Sequence, residues 1–286
     1  MEFSLVQADK NLFAIYQTIY SNVDIEMWFD WNKRLNDTKW TDQCYFLISD
    51  GQKVGGVIIT DKSIMYPFLI PPFCDRIAFW KYILEHSGRD KINGILEKDA
   101  AILPMFDYKV DTVNQVMCRP ADIIANELSD NFVCRSFNVD TEVEEVGKVI
   151  IQSYAGGICD EINGAATLAS AIDDIKKILC VYSHNHLSHV IVEKATDKIV
   201  AVCLAGTGIN YTHGYVEIAD LCVLPQFRGM GLAKYMIGKI VTDSIGIAPF
   251  VKLFVYVGNN AEFIYHQMGF ISGPRFINMS KRKLRV

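Results

Sequence analysis

The chain has 286 residues, half of them hydrophobic and 21% charged, with 28 basic and 33 acidic side chains and a net charge of −5. That length suits about two domains, and that apolar share excludes a mainly disordered chain. The acidic balance argues against nucleic acid as a partner, because a phosphate backbone selects a basic excess.

In chain order, residues 11–40 are predicted as helical pieces, and all four tryptophans (Trp28, Trp31, Trp40, Trp80) fall in the first 80 residues. Residues 44–49 and 54–60 are predicted strands joined by an Asp50-Gly51 turn. Residues 63–70 form a third strand closed by Pro71-Pro72, and Ile77, Trp80, Ile83 and Leu84 give residues 75–86 a helical spacing. Polar residues cluster over 120–131, where the domain boundary is expected, giving domains 1–127 and 131–286. The second half opens with a strand at 135–139 and a helix to Tyr154, capped by Asp140 or Thr141 with Glu144 completing a capping box. Gly156-Gly157 breaks the chain before a helix at 165–179. Strands at 190–193 and 199–206 pair across Thr196-Asp197, followed by a strand at 215–224 ended by Pro225. A helix at 231–244, a buried strand at 251–257, a short helix at 260–268 and a strand at 276–281 complete the chain. This order reads as an α/β protein with a mixed sheet, not a doubly wound parallel one.

No stretch approaches the ~20 apolar residues that span a bilayer. The start, Met1-Glu2-Phe3-Ser4, lacks the basic and apolar regions of a secretory leader. Eight cysteines (Cys44, Cys74, Cys118, Cys134, Cys159, Cys180, Cys203, Cys222) include no C-x-x-C pair. They read as reduced thiols, so a cytoplasmic protein with no membrane partner is expected.

The chemistry concentrates in Leu221-Cys222-Val223-Leu224-Pro225-Gln226-Phe227-Arg228-Gly229-Met230-Gly231-Leu232-Ala233. A strand enters a turn, and the turn enters a helix. Gly229 and Gly231 remove side chains where the backbone must approach something closely. The first-turn N–H groups and the positive end of the helix dipole make an anion site suited to phosphate or pyrophosphate. Gly-x-Gly alone also fits an ordinary tight turn. Lys234 stands where a Rossmann fingerprint needs its third glycine, and the Gly-Lys-Ser/Thr of a P-loop is missing.

The longer context is more specific. Gln226-x-x-Gly229-x-Gly231 after Val223-Leu224-Pro225 closely resembles the acyl-CoA signature of the GNAT N-acetyltransferase superfamily. Ala261-x-x-x-Tyr265-x-x-x-Gly269-Phe270 resembles that family's final helix and turn. The resemblance covers roughly residues 135–281. It implies a GNAT acyltransferase fold, acetyl-CoA as co-substrate, and no metal. It implies that the pantetheine arm pairs with Leu221, Cys222 and Val223. The pyrophosphate would sit on N–H groups of Arg228, Gly229, Met230, Gly231, Leu232 and Ala233, beside Gln226 and Phe227, with the Arg228 side chain as a further phosphate contact. Tyr265 matches the tyrosine near the thioester sulfur, where a phenol of pKa near ~10 can protonate a departing thiolate. Gly258 stands where the commonest family pattern has asparagine. Asn259 and Asn260 follow, and Asn259 is carried as the cofactor contact.

For the base, period two places Glu217, Ala219, Leu221 and Val223 on one face of their strand and Ile218, Asp220 and Cys222 on the other. Glu217 resembles the family's general base, and Asp220 is the alternative. Cys222 reads as a buried strand thiol rather than a nucleophile. His184-x-His186-x-x-His189 reads as loop histidines rather than a metal site. Lys281-Arg282-Lys283-Leu284-Arg285 reads as a solvated basic end.

The N-terminal half reads as a degenerate second copy, so the expected fold is two GNAT-like domains in tandem. Pro72 to Tyr82 lies on Pro225 to Tyr235, with Lys81-Tyr82 echoing Lys234-Tyr235 and both glycines lost. Phe106-Asp107-Tyr108 echoes Met268-Gly269-Phe270, and Leu103 stands where Tyr265 would be. Three functions fit: acetyl transfer to a primary amine of a small molecule or peptide, a silent acyl-CoA sensor or scaffold, and transfer of a longer acyl group. A homodimer is compatible with each.

Overall fold

The structure is a computed structural model that describes residues 2–20, 41–183, 185–208 and 214–282. Trp28, Trp31, Trp40, His184 and the last part of the basic tail lie outside the described residues. The chain divides into two compact units, Met1–Gln115 with Pro274–Val286, and Val116–Gly273.

The first unit contains β1 (Phe3–Gln7), α1 (Lys10–Tyr20), β2 (Cys44–Ser49), β3 (Gln52–Ile59), β4 (Ile64–Leu69), α2 (Arg76–Ser87), β5 (Lys91–Ile95), α3 (Glu97–Ala100) and the start of β6 (Tyr108–Pro120). Asp50 and Gly51 are both left-handed, at φ 50° and 76°, as a type I′ hairpin requires, and Ser49 pairs with Gln52 beside them. All pairings from β1 to β4 are antiparallel, whereas β4 and β5 run parallel with Ile64 opposite Ile92. The crossover between that parallel pair is α2, whose Phe79, Trp80 and Ile83 are buried against Leu47, Val57 and Ile92. The C-terminal strand also belongs to this unit. Its Ile277 lies opposite Ile95 and its Met279 opposite Ile92, antiparallel, and both join the core.

The second unit contains β7 (Phe132–Ser136), α4 (Val143–Tyr154), α5 (Ile158–Asn163), α6 (Leu168–Val181), β8 (Tyr182–Ser183), β9 (His189–Glu193), β10 (Lys198–Gly208), β11 (Val216–Val223), α7 (Leu232–Asp243), β12 (Phe250–Tyr256) and α8 (Ala261–Gln267); β13 (Ile271–Lys281) then returns to the first unit. The sheet order is β12-β11-β10-β9-β7, with β11 and β12 parallel and the other pairs antiparallel. Amphipathic α4 buries Val146, Val149 and Ile150, and α7 buries Met236, Ile237, Ile240 and Val241, in one core with β9 to β12. At ~1.5–3 kcal/mol per fully buried aliphatic side chain, this shared core is what fixes the strand positions around the site.

Two local expectations change. Helix α4 starts at Val143, and its first residue is not capped by a side chain. Glu142 accepts the Asn138 N–H at 2.8 Å and pairs with Arg135, while Glu144 pairs with Lys148 at 2.7 Å, so neither Thr141 nor Glu144 forms the expected box. Lys148 takes the Glu144 carboxylate instead. The capping box is instead at α6, between Thr167 and Ser170. The polar stretch at 121–128 is laid along α7. Ile124 donates to Thr242 Oγ1 at 3.1 Å and Asn126 donates to the Tyr235 carbonyl. A Cβ at position 238 would lie 2.5 Å from the Asn126 amide, so glycine there is what permits this approach.

Candidate active site

The site is organised by a defect in β11. Leu204 pairs with Asp220, but the next residue of β10, Ala205, pairs with Ile218. Ala219 is thus an extra residue in β11, a β-bulge, and the side-chain alternation reverses across it. Glu217 lies opposite Gly206, Asp220 opposite Leu204 and Cys222 opposite Val202. All three therefore share one face. This corrects the period-two reading, which put Glu217 with Leu221 and Val223 and opposite to Asp220.

The two carboxylates have different partners. Glu217 lies 3.4 Å from the Nζ of Lys252, its cross-strand neighbour on β12. Lys252 is fully buried, with its ammonium 3.7 Å from the centre of the Tyr215 ring and 4.8 Å from that of Phe254. Aromatic faces and one carboxylate are the stabilisation such a buried cation requires. Asp220 instead accepts a hydrogen bond from the Tyr154 hydroxyl at the end of α4. Removal from water pushes its pKa up to about 6, against the opposing pull of Tyr154 and the Leu221 N–H.

The parallel ladder between β11 and β12 runs only from Val216–Val251 to Ile218–Leu253, while β11 continues to Val223 and β12 to Tyr256. From Ala219 onward the two strands diverge, leaving the edge of Leu221, Cys222 and Val223 on that side. On the other side Val223 stays paired with Ala201 and Cys222 with Val202. Leu221 and Val223 are half-buried and Cys222 is buried, its thiol pushed up chiefly by burial.

Past β11, Pro225–Phe227 form one tight helical turn. Gln226 is exposed, and Phe227 is half-buried edge-on to Phe132 with ring centres 6.0 Å apart. Gly229 and Gly231 are both left-handed at φ 80°, and a Cβ at either would meet nothing within 4 Å. The glycines therefore serve the backbone path and leave open space above it. Gly231 caps α7 with no side-chain hydrogen bond, so the N–H groups of the first turn, including Leu232 and Ala233, face no internal acceptor from the cap. Met230 between the glycines is 54% exposed, Leu232 is buried and Ala233 half-buried. At the exposed Arg228 the backbone N–H donates to the Pro225 carbonyl at 3.3 Å, and the guanidinium donates to the Val223 and Ser153 carbonyls.

Tyr265 on α8 is buried, its ring 5.9 Å from that of Phe270. Burial pushes its phenol well above the ordinary value, and Cys203, Asp220, Cys159 and Cys222 all lie within electrostatic reach. Asn259 uses its side-chain oxygen to accept the Ala261 N–H at 2.9 Å, starting α8, and Gly258 donates to Glu262 at 2.8 Å. Tyr265, Asp220 and Cys222 are thus gathered together, whereas Glu217 is drawn to Lys252. His186 lies in the turn before β9, and the buried His189 donates from Nδ1 to the Leu187 carbonyl at 3.0 Å. The sequence missed Tyr154 and Lys252. Tyr154 carries no local signal, because only the bulge turns Asp220 toward it. Lys252 had one: a lone charge inside the apolar strand Phe250–Tyr256.

Residues 185–272, which contain β11, the glycine loop, α7 and α8, match the family model described as Acetyltransferase (GNAT) domain. The chain carries a GNAT acetyltransferase domain. Members of that superfamily are acyltransferases. The fold extends the likeness over nearly the whole chain. A GCN5-related N-acetyltransferase from Sphaerobacter thermophilus superposes with TM-score 0.72 at 14% identity, covering 98% of this chain and 95% of that one. A tandem GNAT protein from the clavulanic acid biosynthesis pathway, solved without acetyl-CoA, gives 0.63 at 10% identity over 97% and 98%. An acetyltransferase from the GNAT family of Colwellia psychrerythraea gives 0.59 at 15% identity over 99% and 100%. Curated proteins gave no match to the sequence. Among the described residues no helix is long and apolar enough to cross a membrane.

Proposed function

We propose that this GNAT domain transfers an acetyl group from acetyl-CoA to a primary amine of a small molecule or peptide. The observation that carries the reading is the coincidence of three features within one chain segment. They are a strand that leaves its parallel neighbour after Ile218, a left-handed Gly229/Gly231 loop open above its backbone, and an uncapped helix start at Gly231. The strand edge at Leu221, Cys222 and Val223 suits an extended amide-bearing arm. The loop and the first turn of α7 suit a pyrophosphate. Acetyl-CoA supplies a thioester whose carbonyl accepts the amine and whose thiolate departs.

The remaining chemistry falls to the protein. Strand N–H groups at the divergence polarise the thioester oxygen. Tyr265, held protonated by its buried surroundings, delivers a proton to the departing sulfur. Asp220 receives the proton that the amine gives up, directly or through water, and is ionised above about pH 6. Glu217, tied to Lys252, supports the strand from the same face. Asn259 serves the start of α8, and Gln226 and Phe227 shape the loop.

Thiol release from acetyl-CoA, measured against a panel of amines for native protein and Tyr265→Phe, tests this reading. Turnover with one class of amine, slowed in the variant, is expected. Tight acetyl-CoA binding without turnover on any amine would favour the sensor reading. Turnover with a longer acyl-CoA alone would move the donor. Absence of coenzyme A binding would overturn the site itself.

A further inference from the structure

Helix α4 ends at the site, and its end is held at two points. The Ser153 carbonyl accepts the Arg228 guanidinium from the glycine loop. One residue on, the Tyr154 hydroxyl donates to Asp220 Oδ1 on β11. The Tyr154 carbonyl in turn accepts the Gly157 N–H at 2.9 Å, closing the turn through left-handed Gly156. The phenol is therefore placed by the backbone of α4 and by the loop, not by its own rotamer alone.

We infer that Tyr154 is a positioning residue: its hydroxyl fixes the Asp220 carboxyl beside Tyr265 and, as a neutral donor to the charged form, keeps that carboxyl ionised at neutral pH. This rests on the reading of Asp220 as the proton acceptor. The chemistry of the surroundings supports it. A carboxylate withdrawn from water needs a donor, and among the described residues the side-chain donor to this one is a phenol, not a cation that would hold it permanently charged and weakly basic. Burial and the Asp220 charge push the Tyr154 phenol well above its ordinary value, so it remains a donor throughout the working range.

The groups facing Asp220 leave its titration distinguishable. From β11 comes Cys222, from β10 Cys203, from α5 Cys159 and from α8 Tyr265, and burial raises all four, so they are neutral near pH 7. From α6 comes Asp174, whose carboxylate is paired with Lys177 at 3.1 Å. Glu217, on the same face of β11, is paired with Lys252.

Tyr154→Phe keeps the ring and removes the donor. The acid limb of its kcat/KM profile is expected to move to higher pH by about one pH unit, the weight of one hydrogen bond to a charged group. The rate should fall several-fold more at about pH 6 than at about pH 8. Carbon NMR of the Asp220 carboxyl in the free protein should show the same displacement with no substrate present. Fluorotyrosine at position 154, a stronger donor that preserves packing, should move both in the opposite direction, and it serves if Tyr154→Phe does not fold. Native acid limb and native carboxyl titration in these variants would overturn the inference. Asp220→Asn separates the two layers. If it turns over at the native rate, Asp220 is not the proton acceptor. The carboxyl titration still decides whether Tyr154 controls it.

Discussion

The two units build the same strand, helix and parallel strand, and they finish the helix start in opposite ways. In the first unit Asp75 caps α2, its carboxylate accepting the Ala78 N–H at 2.9 Å. In the second, Gly231 caps α7 with no side chain at all. A negative side chain already occupies the position where a phosphate would bind α2, and both glycines of the loop are missing there. One acid in each unit differs in the same sense. Asp99 accepts Arg76 at 2.7 Å and the Trp80 indole at 3.0 Å, so it is a closed structural pair. Asp220 has a phenol, a backbone N–H and a raised pKa. Even the last turns correspond, with Asp107 at φ 65° and Gly269 at φ 81° preceding buried Tyr108 and Phe270. Leu103, fully buried, stands where the second unit has Tyr265. One copy has kept the fold and filled its polar sites internally; the other has left them open.

The sharpest way to break this contrast is at the acids. Asp220→Asn should slow turnover by about 10²–10⁴-fold, the usual weight of a proton-transfer group. It should also make the protein more stable. A carboxyl whose folded pKa is raised from 3.8 to about 6 is most compatible with folding below the unfolded value, and that stability is lost as pH rises through about 6. Removing the charge should therefore add on the order of 2–3 kcal/mol near pH 7.5 in denaturant unfolding. Asp99→Ala should do the reverse. It leaves Arg76 and the Trp80 N–H without their acceptor, lowering stability by about 2–4 kcal/mol, with the rate per folded molecule unchanged. A loss of rate in Asp99→Ala would show that the first unit takes part in the chemistry.

The histidines extend the contrast to pH. His189 is buried with its Nε2 unpartnered among the described residues, and burial lowers its pKa from 6.5 to about 4. The unfolded chain binds that proton first, so stability should fall as pH drops from about 6.5 toward 4, by up to about 3 kcal/mol. Asp220 acts with the opposite sign between about 3.8 and 6. The His189 slope is therefore read in Asp220→Asn, where His189→Gln should flatten it. In the first unit His86 lies exposed on the Tyr82 ring, centres 3.8 Å apart.

Most of this architecture was legible locally. The β2 strand, the Asp50-Gly51 turn, α2 with its Asp75 start, the α7 loop and α8 all follow from spacing, turn chemistry and motif. The departures have physical causes. Strand β5 carries Asn93 and Gly94 within five residues and so lacks a strand pattern. The six-residue α5 follows directly on Gly156-Gly157, and those breakers mask it. The β11 bulge leaves no mark in the sequence, because it is defined by β10, and it alone decides which carboxylate meets Tyr154. The placement of β13 is likewise nonlocal: Ile277 and Met279 alternate like any edge strand, and nothing in them specifies β5 as their partner.

The smallest expected effects return to the two helix starts, and they discriminate most cleanly. Asp75→Ala should cost about 1 kcal/mol of stability, the usual loss for a capping carboxylate. It should leave acetyl-CoA affinity unchanged if the first turn of α2, closed by the Asp75 carboxylate, takes no phosphate. Gly231→Ala should cost a comparable ~1–2 kcal/mol, since its φ of 80° disfavours any Cβ although the space above is open. Here, however, the strain falls where the pyrophosphate would lie. Affinity should weaken about tenfold if backbone relaxation to a right-handed conformation turns the first-turn N–H groups away by the equivalent of one lost charged hydrogen bond. Calorimetric titration reads both quantities, and native protein should bind one acetyl-CoA per chain. A stoichiometry of two, with Asp75→Ala tightening the second event, would mean that the Asp75 cap is a gate on a working site and not the closure of a lost one.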